Sequence, residues 1–109
     1  MATKIEWTER SVTNLNHIYN FIAADSPTYA IRFVKNLVNS SEKLLKEFPL
    51  SGRFVPEFQN TPIHFLKELI FKGYRVIYNP SNAPDKVTII SVINGRMDIE
   101  KDSNKNYIL

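Results

Sequence analysis

Cysteine is absent from this chain of 109 residues, so it offers no disulfide framework and no thiolate to act as metal ligand or nucleophile. Glycine occurs three times, always singly, which removes any glycine loop of the kind that cradles phosphate. The only histidines, His17 and His64, are too isolated for a metal set or a triad. Ser51-Gly52 has no base at motif spacing. No apolar run approaches membrane-spanning length, and Met1-Ala2-Thr3-Lys4-Ile5-Glu6-Trp7 lacks the apolar stretch of a signal peptide. Repeats and low-complexity segments are missing too. The expectation is a cytoplasmic protein with no cofactor, no metal and no membrane partner.

What is present is the material of one globular domain. Hydrophobic residues make up 43% and aromatic residues 12%, enough for a single core without covalent staples, so residues 1–109 read as a single domain. The net charge of +3 is too mild to demand a nucleic-acid ligand; a polyanion or an acidic protein partner is compatible with it. Arg53, Lys67, Lys72, Arg75, Lys86, Arg96, Lys101 and Lys105 all lie in the C-terminal part. Acidic residues there dilute the excess.

The most informative stretch is Lys67 to Tyr78, which reads as two strands over a Lys72-Gly73 turn. That turn pairs Phe71 with Tyr74, Ile70 with Arg75 and Leu69 with Val76. Alternation then places Leu69, Phe71, Tyr74, Val76 and Tyr78 on one face, and Glu68, Ile70, Arg75 and Ile77 on the other. Arg75 is the unexpected residue in an apolar strand. Two readings stand: a half-buried partner for its diagonal neighbour Glu68, or a cation presented on an open face.

Upstream, Lys4-Ile5-Glu6-Trp7 alternates as a short strand does. Thr8 is a helix N-cap, and Val12, Leu15, Ile18, Tyr19 and Ile22 form one stripe of an amphipathic helix over about residues 9–24. Ser26-Pro27 starts a second helix, in which Ala30, Phe33, Val34, Leu37, Val38, Ser41, Leu44 and Leu45 keep the same period until Pro49. The short connection makes the helices antiparallel neighbours. Residues 49–63 contain three prolines after which the hairpin follows, and they form the one long irregular loop. Val87 to Ile93 is the third strand of a meander, closed by Asn94-Gly95-Arg96. The tail from residue 97 to 109 is polar with a short apolar end.

The order β-α-α-β-β-β implies an α+β, two-layer fold. An antiparallel helical hairpin packs on the Tyr74, Val76 and Tyr78 face of a mainly antiparallel sheet. The opposite face is expected to keep Arg75 and Glu68 exposed or in a groove, with Glu57 holding Arg53.

Several pieces, in order, resemble the RelE/ParE superfamily of type II toxin–antitoxin toxins. They are Ile5-Glu6-Trp7-Thr8, Asp25-Ser26-Pro27, Ala30, Phe33-Val34, Phe48-Pro49, Gly52-Arg53, Val55-Pro56-Glu57, Lys67-Glu68-Leu69, Tyr74 to Tyr78 and Asn94-Gly95-Arg96. The resemblance implies a growth-inhibiting toxin of the plasmid-stabilisation type, partnered by a cognate antitoxin. ParE-like members bind and inhibit DNA gyrase, whereas RelE-like members cut mRNA on the ribosome. In a nuclease, Arg75 and Arg96 would match the cations that stabilise charge on phosphorus. No tyrosine or histidine follows closely after Arg96; Tyr107 lies farther on, and Asn94 stands where many relatives have histidine. The implied function is therefore nearer ParE-like gyrase inhibition, with Arg53, Arg75 and Arg96 as target-binding residues and Glu57 and Glu68 as their structural partners. The alternatives are a ribosome-dependent endoribonuclease and a non-toxic module that only binds antitoxin. Leu37, Val38, Leu44 and Leu45 are expected to contribute a groove for an antitoxin segment.

Overall fold

The computed structural model describes residues 3–97 and residue 99. Strand β1 (Lys4–Trp7) leads into helix α1 (Glu9–Ala23) and helix α2 (Pro27–Glu47). Strand β2 (Arg53–Phe54), a 3-10 turn at Pro56–Phe58, and strands β3 (Lys67–Phe71), β4 (Tyr74–Asn79) and β5 (Lys86–Asn94) follow. The helices start where their caps are. Thr8 Oγ1 accepts from the Ser11 amide at 3.1 Å and Ser26 Oγ from the Tyr29 amide at 3.2 Å, satisfying donors that a helix start leaves open.

The sheet order is β1-β5-β4-β3-β2, with β1 parallel to β5 and the other neighbours antiparallel. The hairpin register is the one alternation requires: Phe71 opposite Tyr74, Ile70 opposite Arg75 and Leu69 opposite Val76. Lys72 (φ 45°) and Gly73 (φ 87°) both take positive φ, as a two-residue turn matched to strand twist demands. At this end of the sheet the Gly95 amide donates to the Gly73 carbonyl at 2.7 Å, so the chain after β5 is tied to the hairpin tip.

Ile18, Phe33, Leu37 and Leu45 of the helices close on Val76, Tyr78, Val87, Ile89 and Val92 of the sheet. Phe33 also meets Phe71 and Tyr74 edge-on, each with ring centroids 5.7 Å apart. This consumes the groove expected on α2. Leu37 and Leu45 are fully buried; of the four residues only Leu44 is exposed.

The opposite sheet face is not open. Val55, Phe58 and Leu66 of the long connection pack with Ile99 over Ile77 and Ile93, forming a second core. The reason is visible in the strand itself. Ile77 and Ile93 are apolar on both sides of Arg75, and leaving them in water would forgo their burial. The proline-rich connection supplies the cover, and with it comes an enclosure for Glu68 and Arg75. The tail residues beyond Ile99, including Tyr107, lie outside the described residues.

Candidate functional site

The covered face holds four charged side chains in a chain of contacts. Arg75 Nε donates to Glu68 Oε1 at 2.6 Å, and its Nη2 to Glu68 Oε2 at 3.2 Å. Its two terminal nitrogens also grip Glu57, Nη1 to Oε2 at 2.7 Å and Nη2 to Oε1 at 2.6 Å. Such forked contacts are the strongest that arginine makes. Arg53 Nε reaches the remaining side of Glu68, at 2.7 Å from Oε2. The Glu68 side chain is fully buried and that of Arg75 is 7% exposed, so neither presents charge to solvent.

Glu57, its side chain 23% exposed, belongs to Arg75, and Arg53 belongs to Glu68; the expected pairing of Glu57 with Arg53 is corrected. The reason is the depth of Arg75. A buried guanidinium with one carboxylate would keep unsatisfied donors in a dry site, so it recruits the second carboxylate from the connection. The electrostatics agree. Hydrogen bonds from Arg75 hold the Glu57 carboxyl below the ordinary glutamate range, with burial opposing. Bonds from Glu57, then Glu68, raise the Arg75 guanidinium further above its usual value against the effect of burial. Neither group changes protonation near neutral pH.

Around this network the backbone is drawn tight at Gly52. Its amide donates to the Tyr78 hydroxyl at 2.9 Å, and a Cβ there would stand 2.6 Å from both the Glu68 carbonyl oxygen and that hydroxyl. Burial pushes the Tyr78 phenol up, partly offset by the Gly52 amide. Lys67 Nζ donates to the carbonyls of Leu50 (3.2 Å) and Gly52 (3.0 Å) and lies 4.3 Å above the Phe54 ring. Sequence reasoning flagged neither Tyr78 nor Lys67 for these roles, because both depend on partners distant in the chain.

Arg96 stands apart from the network. It is exposed after β5, and its amide donates to Asn94 Oδ1 at 2.9 Å. Next to it an apolar cleft of about 500 Å³ opens between α1 and the end of the sheet, bordered by His17, Phe21, Tyr74, Asn94 and Met97. Asn14 at its floor accepts from the Val92 amide and the Ser91 hydroxyl, which fixes α1 against β5. Phe21 is 76% exposed at the rim. His64 is exposed beside Phe65, and its carbonyl accepts from Gln59 Nε2 at 3.3 Å. Among the described residues no cluster of three acidic or histidine side chains could hold a metal ion.

The sequence model of the ParE toxin of type II toxin–antitoxin systems, parDE, matches residues 5–99. The chain belongs to the ParE toxin family. Its fold is that of solved members of the wider group. The chromosomal ParDE toxin–antitoxin system from P. aeruginosa superposes with a TM-score of 0.66 at 17% identity, over 85% of this chain and 96% of that one. The RelBE2 toxin–antitoxin complex from Mycobacterium tuberculosis gives 0.57 at 15% identity, over 86% and 99%. A double arginine-to-alanine mutant of the E. coli toxin RelE in its free state gives 0.52 at 16% identity, over 99% and 95%. No curated protein matches this chain in sequence. The α+β architecture and the superfamily expected from the sequence are both borne out. The chain is thus a toxin of a type II module, and no helix among its described residues is long and apolar enough to cross a membrane.

Proposed function

We propose that this ParE-family toxin acts by binding DNA gyrase and has no nuclease turnover. The carrying observation is the state of Arg75. RNA cleavage without a metal needs a free cation for the charge that builds on phosphorus, and a group that can exchange protons near neutral pH. Arg75, which matches the cation of the RelE-like strand, has its fork occupied by Glu57 and its Nε by Glu68. To reach a phosphate it would have to abandon two carboxylates in a buried site. Asn94 and Arg96, at the exposed end of the sheet, cannot supply a proton acceptor there. Arg96 and Arg53 are the arginines of the proposed target-binding set that face solvent; Arg75 supports Arg53 from inside through the Glu68 carboxylate they share.

A cognate antitoxin is the second partner in this reading, since the ParDE and RelBE2 relatives are toxin–antitoxin systems and complexes. The protein would act in the cytoplasm, where both partners reside. Inducible expression with parallel readouts for DNA breaks and for new mRNA ends tests the proposal. DNA breaks, together with inhibited supercoiling by purified gyrase and intact message, are expected. Ribosome-dependent message cleavage that disappears in Arg96→Ala would replace gyrase binding with the nuclease reading. An absence of both readouts, with an antitoxin still bound, would leave only an antitoxin-binding module.

A further inference from the structure

Strand β2 lies at one margin of the sheet and only Arg53 and Phe54 form it. In an antiparallel ladder, successive residues turn their amide and carbonyl alternately toward and away from the neighbouring strand. The Val55 amide donates to the Leu66 carbonyl at 3.2 Å, on the β3 side. Arg53 shares that orientation, so Phe54 turns its N–H and C=O outward, where they have no backbone partner among the described residues.

Side chains on the two sides of this edge differ in kind. On one side is Arg53, its Nε fixed by the buried Glu68 carboxylate and its side chain 60% exposed. Neither of its terminal nitrogens has a hydrogen-bond partner among the described residues, so the free half of the fork points to solvent already oriented. On the other side are Phe54 and Leu50, 51% and 58% exposed, with the Lys67 ammonium pinned above the Phe54 ring. The network of two arginines and two glutamates sums to zero, and Lys67 leaves the edge positive.

We propose that β2 is a docking edge for an extended segment of a protein partner in which acidic and apolar residues alternate. The segment adds as a further strand, pairing with Phe54. Its period of two sends carboxylates to the Arg53 fork and apolar side chains to Leu50 and Phe54. A nucleic acid would use the cations and leave the amide edge and the apolar residues unmatched. A second copy pairing β2 with β2 would bring Arg53 against Arg53, which like-charge repulsion disfavours. This inference stands whether or not gyrase is the target.

The test uses the full chain and a short capped peptide alternating glutamate and valine, with a lysine–valine peptide as control. The glutamate peptide should bind and slow hydrogen exchange at the Phe54 amide, leaving the already bonded Val55 amide unchanged. Arg53→Ala should weaken binding about tenfold, the scale of losing one charge-assisted hydrogen bond. Arg53→Lys should recover only part, since lysine lacks the fork. Phe54→Pro removes the outward N–H while keeping Arg53, and should abolish binding in a chain that remains folded by circular dichroism. Equal binding of the lysine peptide, binding without protection of Phe54, no binding at all, or dimerisation through β2 would each overturn the proposal.

Discussion

The two faces of the one sheet are covered by different means. On the helix side, Val76, Tyr78, Ile89 and Val92 meet a regular pair of helices, and the contact is almost wholly apolar. On the other side, Arg75, Glu68 and Ile77 meet an irregular connection, and the contact mixes a small apolar core with a chain of ion pairs. The helix face is tolerant, since apolar packing has no obligatory partner for any one atom. The connection face is demanding, since each buried charge needs its counter-charge in place. That contrast also bears on function. On the proposed reading, in which the toxin acts by binding, the ion pairs hold the connection in shape by tying it to the sheet.

The sharpest way to break the comparison is to remove one charge. Arg75→Ala leaves Glu68 buried with only Arg53 and frees Glu57 from its anchor. It should cost about 3–5 kcal/mol in denaturant unfolding, against about 1–3 kcal/mol for Val76→Ala on the helix face. Because Arg75 is interior, its loss should fall on stability before it touches any surface contact. Equal costs at the two positions would show that the ion pairs add nothing beyond ordinary packing.

A smaller effect is expected at the hinge between the faces. Gly52→Ala would drive a methyl into the Glu68 carbonyl and the Tyr78 hydroxyl, with backbone unable to yield cheaply. Overpacking of this kind costs about 1–3 kcal/mol. Removing the hydroxyl as well, in Gly52→Ala with Tyr78→Phe, should recover little, since the carbonyl clash remains. Thermal melts of the single and double variants decide this.

The smallest effect is in pH. The Glu57 pKa is lowered in the folded chain, so its contribution is fully present above the ordinary glutamate value of about 4.3 and is lost as pH falls through the folded value. Stability should therefore decline with acid below about pH 4.3, and Glu57→Gln should flatten that part of the profile. Tyr78 works at the other end. Its raised pKa means stability is lost as pH rises above about 10, and Tyr78→Phe should remove that limb. A profile unchanged by Glu57→Gln would mean that its bond to Arg75 is not formed in solution.

Much of the frame could be read from residue types alone. Thr8, Ser26-Pro27 and Pro49 bound the helices, the period of three and four places their stripes, and Lys72-Gly73 sets the register of the hairpin down to each pair. Even the meeting of Glu68 with Arg75 follows, since diagonal neighbours on one strand pair share a face. These are local matters, settled within a few residues by dihedral preference and side-chain period. What covers the second face was decided only in three dimensions. Val55, Phe58 and Leu66 sit in a stretch with no period to reveal their inward direction, and Glu57 lies 18 residues from the arginine it grips. Which carboxylate meets which guanidinium depends on depth. The more buried cation takes the larger share of negative charge, and depth is a property of the folded chain.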